Sequence, residues 1–128
     1  RGCRDAFAAA GVRYCAVDVL DDEEADIGRH LQRVWAFVAP AVTAVADGDA
    51  ISSARYDEEP LPRDAPRVLI HCRQGVSRSA TLAIYCVMRA RDVPLADAFM
   101  HVFERRPVIC PNYAFRRALL EAEAVEIG

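Results

Sequence analysis

Lysine is absent from this chain: all 16 basic residues are arginine, set against 19 aspartates and glutamates for a formal net charge of -3. So small a net charge creates no global basic field, and neither nucleic acid nor an anionic membrane surface is expected as a partner. The arginine bias accompanies abundant alanine and reads as codon usage rather than anion binding, which leaves the placement of single arginines as the informative feature. Long apolar runs are lacking too, so no membrane span is expected. Cysteine occurs at Cys3, Cys15, Cys72, Cys86 and Cys110, an odd number with no CxxC pair. That argues against a disulfide framework and for a reducing intracellular compartment, cytoplasmic or nuclear. The three histidines, His30, His71 and His101, stand far apart and make no ligand pair, so no zinc site is expected. No signal or transit segment is visible, and a chain opening on Arg1 reads as a piece whose true start lies upstream.

What is present is a globular composition, 53% hydrophobic and 27% charged over 128 residues, enough for one domain around a single core. Tyr14 to Leu20, "YCAVDVL", has the aromatic and β-branched mix of a strand and runs into the acidic turn Asp21, Asp22, Glu23, Glu24. Ile27, Leu31, Val34, Trp35, Val38, Val42 and Val45 recur at helical spacing, predicting one long amphipathic helix with a kink, or a break and restart, at Pro40. Residues 47–66 lack periodicity and are rich in Asp, Glu, Ser, Gly and Pro, the pattern of a flexible surface loop. Arg67 to His71, "RVLIH", is the short apolar run of a buried strand. Ala80 to Met88 are apolar on nearly every side, as in a helix buried against a sheet. Two further helices are expected, one from near Pro94 presenting Leu95, Phe99, Val102 and Phe103, and one from about Asn112 presenting Phe115, Leu119 and Leu120.

Between that strand and helix stands "HCRQGVSRS", residues 71–79. A strand ending in a tight loop that opens a helix aims several backbone N–H groups and the positive end of the helix dipole at one point, which suits a phosphate dianion. The loop residues Arg73, Gln74, Gly75, Val76, Ser77 and Arg78 would wrap it. Gly75 reaches backbone angles closed to other residues, and Arg78 offers a planar fork to two phosphate oxygens. The same field would lower the pKa of Cys72 below the ordinary thiol value of about 8.5, leaving a thiolate able to attack phosphorus. Ser79 can donate a hydrogen bond to the sulfur and make it a better leaving group, while His71 orients the loop. A cysteine is often only a small hydrophobe at an ordinary turn. That reading does not account for cysteine, glycine and arginine at these separations. A departing alkoxide or phenoxide needs a proton, and Asp21 and Asp22 are the carboxyl candidates; alternatively "DDEE" merely decorates a helix start.

From Val68 to about Glu123 the sequence resembles the C-terminal half of the dual specificity protein phosphatase catalytic domain, within the cysteine-based tyrosine phosphatase superfamily. The stretch "YCAVDVLDDEEADIGRHLQRVWAFV" is similar to the segment in which that family's strand leads into its acid loop and then a helix. The resemblance implies an α/β fold with a central sheet flanked by helices, and no metal or other cofactor. It implies Cys72 as nucleophile, Arg78 as the phosphate arginine, Ser79 as the leaving-group hydroxyl, Asp21 as general acid with Asp22 as its fallback, and Asn112 of "CPNYAF" as the loop's support. It also implies phosphorylated proteins as partners, carrying phosphotyrosine and phosphoserine or phosphothreonine. Inositide phosphatases of the superfamily usually carry lysines in the loop; "RQGVS" has none, which favours protein substrates. Two departures stand out. The family usually has another pair of strands and a helix before the segment matching Tyr14, so the first strands are expected to be missing: either the chain is a truncated piece, or the fold is incomplete with an exposed sheet edge. Residues 47–66 replace a short turn, and are expected as a tolerated insertion, with docking or modification at Ser52, Ser53 or Tyr56 as the sharper alternative.

The alternative to an enzyme is a phosphatase-like module that holds phosphoproteins without processing them. Action on a non-protein phosphate ester is a weaker third reading, which no basic patch supports. Redox control of Cys72, with Cys110 or Cys15 as resolving partner, is a further expectation. Oligomeric state is left open by the sequence.

Overall fold

The structure, a computed structural model, describes residues 10–44 and 66–127. Four α-helices are found among them: α1 Leu31–Ala44, α2 Arg78–Arg91, α3 Leu95–Arg105 and α4 Tyr113–Glu126, with a 3-10 turn at Gly28–His30 leading straight into α1. The expected surface loop of residues 47–66 lies outside the described residues except for Pro66. None of the described helices is long and apolar enough to cross a membrane.

The all-round apolar pattern of α2 dictates its place at the centre. Thr81, Ile84, Tyr85 and Met88 are fully buried, and α1, α3 and α4 pack against this helix from different sides. On α1 the buried residues Leu31, Val34 and Val38 follow the spacing read from the sequence, with Ile27 completing the stripe one turn earlier. Phe115 and Leu119 do the same for α4, and Ala98 provides the close approach of α3. Burying a side chain of the size of Ile84 or Leu119 contributes about 2 kcal/mol.

Helix ends follow local chemistry. Asp92 closes α2 in the left-handed region (φ 52°), which aspartate tolerates better than most residues, and the Val93 amide reaches back to the Met88 carbonyl at 3.2 Å. Asn112 caps α4 by accepting from the Phe115 amide at 2.9 Å. The Leu95 amide, at the start of α3, donates to the Glu123 carboxylate of α4. Pro40 produces no break: α1 runs through it. Ala36, whose carbonyl loses its helical donor to the proline, is exposed like Pro40 itself, so water can supply the missing bond.

The expectation of a central sheet is corrected: no strand occurs among the described residues. The segment from Tyr14 to Leu20 keeps a strand-like alternation, with Val17 and Val19 against the core and Ala16, Asp18 and Leu20 exposed. A strand, however, exists only through ladder bonds to a neighbour. Here the carbonyls of Ala16 and Val19 accept from the side chains of Arg33 and Arg78 at 3.0 and 3.3 Å. The second segment, Arg67 to His71, is not the buried strand its composition suggests. Only Ile70 packs on the core, and Leu69 is 82% exposed.

Candidate active site

Residues 73–77 bend between the segment ending at Cys72 and the first turn of α2. Two anchors hold the bend from the side of α4. The Cys110 amide donates to the Val76 carbonyl at 2.7 Å, and the Asn112 amide donates to Ser77 Oγ at 3.1 Å. The Ser77 carbonyl in turn accepts from the Thr81 amide at 2.9 Å and from the Thr81 hydroxyl at 2.8 Å, tying the loop into α2. Gly75 has φ +68°, a backbone state that costs a side-chain-bearing residue about 1–2 kcal/mol.

This bend brings three sequence-predicted residues together. Cys72 Sγ lies 3.2 Å from Ser79 Oγ and accepts from the Gly75 amide at 3.2 Å. Partial burial pushes the thiol pKa up, but hydrogen bonds from the Ser79 hydroxyl and from the amides of Ser79, Gly75 and Gln74 outweigh it. The result is a fall from 9.0 to about 6. The Ser79 hydroxyl and then the loop amides thus favour the thiolate form. By contrast Cys86, buried in α2 with nothing to stabilise its charge, is pushed up to about 12.

Arg78, the first residue of α2, donates through Nη1 to the Val19 carbonyl at 3.3 Å, while its Nε is buried without a hydrogen-bond partner. A buried guanidinium donor left without a partner is uncommon, and here it lies on the residue that joins the loop to α2. His71, Arg73 and Gln74 are exposed around the rim, Val76 is half-buried and Ser77 is buried.

The acidic turn reaches this loop through Asn112. Its Nδ2 donates to Asp21 Oδ1 and to the Asp22 carbonyl, each at 3.0 Å, while its own amide holds Ser77. Asp21 is therefore two hydrogen-bonded steps from the loop, and exposed. The Asp22 carboxylate instead turns back to accept from the Glu24 amide at 3.0 Å. The reading of "DDEE" as decoration of a helix start is realised in an unexpected place: Glu23 accepts from the Tyr113 and Ala114 amides at 3.4 and 3.1 Å, at the start of α4 rather than α1.

Sequence reasoning missed one residue at this site, Arg106, just past the end of α3, which donates to the Gly75 carbonyl at 2.8 Å and to the Gln74 carbonyl at 3.1 Å. The available signal was slight: an arginine before a proline at a helix end. Cys15, Cys72, Cys86 and Cys110 are all free thiols. Cys110 is exposed and contacts Arg116 Nη2 at 3.4 Å, while Cys15 contacts Arg33 Nη1 at 3.4 Å.

Comparison with known proteins gives the family. A family profile described as dual specificity phosphatase, catalytic domain, matches residues 59–125, more than half of the chain. Human dual specificity protein phosphatase 2 is 28% identical over 127 residues, covering 94% of this chain and 40% of that protein. The chain thus spans well under two thirds of this relative. Among solved structures, the human tyrosine phosphatase-like serine/threonine/tyrosine-interacting protein superposes with a TM-score of 0.70 at 28% identity, over 91% of this chain and 64% of that one. A mouse protein described as a "putative dual specificity phosphatase complexed with zinc tungstate" gives 0.66 at 30% identity, with the same two coverages of 91% and 64%. The chain belongs to the dual specificity phosphatase catalytic domain family.

Proposed function

We propose that this chain, acting as one catalytic unit, hydrolyses phosphate monoesters on proteins, phosphotyrosine together with phosphoserine or phosphothreonine, through a phosphocysteine intermediate. The observation that carries the reading is Cys72 Sγ held at 3.2 Å from both the Ser79 hydroxyl and the Gly75 amide, with its pKa brought to about 6.

In the first step the Cys72 thiolate attacks phosphorus and the bond to the leaving oxygen breaks. Asp21 delivers its proton to that oxygen, so the product leaves as a neutral hydroxyl. The loop amides and the Arg78 guanidinium balance the charge on the equatorial oxygens. In the second step Asp21, now a carboxylate, takes a proton from water as the water oxygen attacks. The phosphorus–sulfur bond breaks, inorganic phosphate forms, and the thiolate leaves stabilised by the Ser79 hydroxyl. His71 steadies the loop from outside this proton path.

Phosphate release from a doubly phosphorylated peptide tests the reading. The expected result is turnover that vanishes in Cys72→Ser and falls about a hundredfold or more in Asp21→Asn. Wild-type release no faster than that of Cys72→Ser would sink it. A second reading, a phosphoprotein-binding module, is favoured by the likeness to a protein itself described as phosphatase-like and interacting. Tight phosphopeptide binding by the wild type without release would establish that one instead.

A further inference from the structure

We propose, building on the phosphatase reading of the same loop, that Arg106 is a positioning residue that sets the direction of the loop's amides. Its guanidinium spans two successive carbonyls, with Nε donating to Gly75 at 2.8 Å and Nη2 to Gln74 at 3.1 Å. A trans peptide is rigid, and its C=O and N–H point opposite ways. Holding the Gln74 and Gly75 carbonyls outward therefore turns the amides of Gly75 and Val76 inward. The first of these is the amide that reaches Cys72 Sγ at 3.2 Å.

The contact is built closely. A Cβ at Gly75 would stand 3.0 Å from Arg106 Nη2, so glycine is what lets the guanidinium lie against the loop. The arm is based on a fixed element, because the Arg106 amide makes a closing helical bond to Val102 at 2.9 Å and Ala98 of the same helix is fully buried. The planar fork places a separate nitrogen on each carbonyl in a fixed plane, whereas a lysine ammonium is a single rotatable point that cannot hold both in that geometry. Without the clamp, either peptide unit is free to flip and present a carbonyl, rather than an amide, to the sulfur and to an anion above it.

The test follows alkylation of Cys72 by iodoacetamide against pH, read on the Cys72 peptide by mass spectrometry. This readout needs no turnover, and kcat/KM on a phosphopeptide is measured beside it. Wild type is compared with Arg106→Ala, Arg106→Lys and Arg105→Ala. Arg105 is a control of like charge whose guanidinium donates to the His101 carbonyl of its own helix at 2.8 Å. The other charged or titratable groups around the loop, His71, Arg73, Arg78 and Asp21, are unchanged throughout.

Arg106→Ala is expected to raise the alkylation midpoint by about one pH unit and Arg106→Lys to recover less than half of that shift, with Arg105→Ala unmoved. A fall in kcat/KM of about tenfold accompanies the Arg106→Ala shift. An unmoved midpoint in Arg106→Ala, an equal shift in Arg105→Ala, or full recovery by lysine overturns the proposal. Should the wild type show no turnover while the alkylation shifts appear as stated, the phosphatase reading fails and the clamp stands.

Discussion

Asp21 and Asn112 stand 91 positions apart in the chain, yet the Asn112 side-chain amide donates to Asp21 Oδ1 at 3.0 Å. The same residue caps α4 through Oδ1 and holds Ser77 through its backbone. One side chain thus couples the acidic turn, the phosphate loop and the helix behind them.

Asn112→Ala is expected to lower kcat about tenfold by releasing Asp21, because a general acid acts only from within reach of the leaving oxygen. It also removes the α4 cap, at a cost of about 1 kcal/mol. Phosphopeptide kinetics and thermal unfolding on one preparation check both effects, and unaltered kcat would remove Asn112 from the acid's support.

Hydrogen bonds on the sulfur bring the Cys72 pKa to about 6 in the folded chain, against about 8.5 to 9 for an ordinary thiol, so kcat/KM should rise with pH through an acid limb near that lower value. Between these two values the unfolded chain binds a proton that the native one does not. Stability from this group therefore rises with pH across that window and is lost as pH falls through the folded pKa. Denaturant titrations at several pH values should show this slope in the wild type and a flatter one in Cys72→Ser.

Gly75→Ala forces a side chain into φ +68° and against Arg106 Nη2 at 3.0 Å. We expect a loss of about 1–2 kcal/mol in stability and a larger proportional loss of activity, since the Gly75 amide moves away from Cys72. Activity retained alongside a wild-type alkylation profile would show that the loop accommodates the methyl group.

Away from the site, the Glu126 carboxylate near the end of α4 accepts from Arg89 at 2.8 Å, from the Tyr85 hydroxyl at 3.0 Å and from Gln32 at 3.2 Å. Burial and then the Glu126 contact push the Tyr85 phenol up to about 12, so it remains a donor at any ordinary pH. Glu126→Ala leaves the Arg89 and Tyr85 donors short of their acceptor and should destabilise the domain by about 1–3 kcal/mol. Thermal unfolding reads that loss, and kcat measured well below the transition should be unchanged.

Much of the site was legible because its chemistry is local. Cys72, Gly75 and Ser79 lie within one bend and one helical turn, so their spacing brings an amide and a hydroxyl within reach of the sulfur. The helices were legible for a similar reason: the periodic positions of Leu31, Val34 and Val38, or of Phe115 and Leu119, are the buried ones. Asp21 and Asp22 were not separable from the residues themselves. What distinguishes them here is which carboxylate the Asn112 amide reaches, a contact made across most of the chain.

By itself, then, the sequence determined the helical periodicities and the close spacing of Cys72, Gly75 and Ser79, because these depend on residues a few positions apart. Tertiary structure decided the rest: the absence of a sheet among the described residues, the docking of Glu23 on α4, the hold of Asn112 on Asp21 and the grip of Arg106 on the loop. Strand pairing and guanidinium reach are long-range relationships. A side chain can take a carbonyl that a neighbouring strand would otherwise occupy, as Arg33 and Arg78 do at Ala16 and Val19, and no local pattern records which partner arrives.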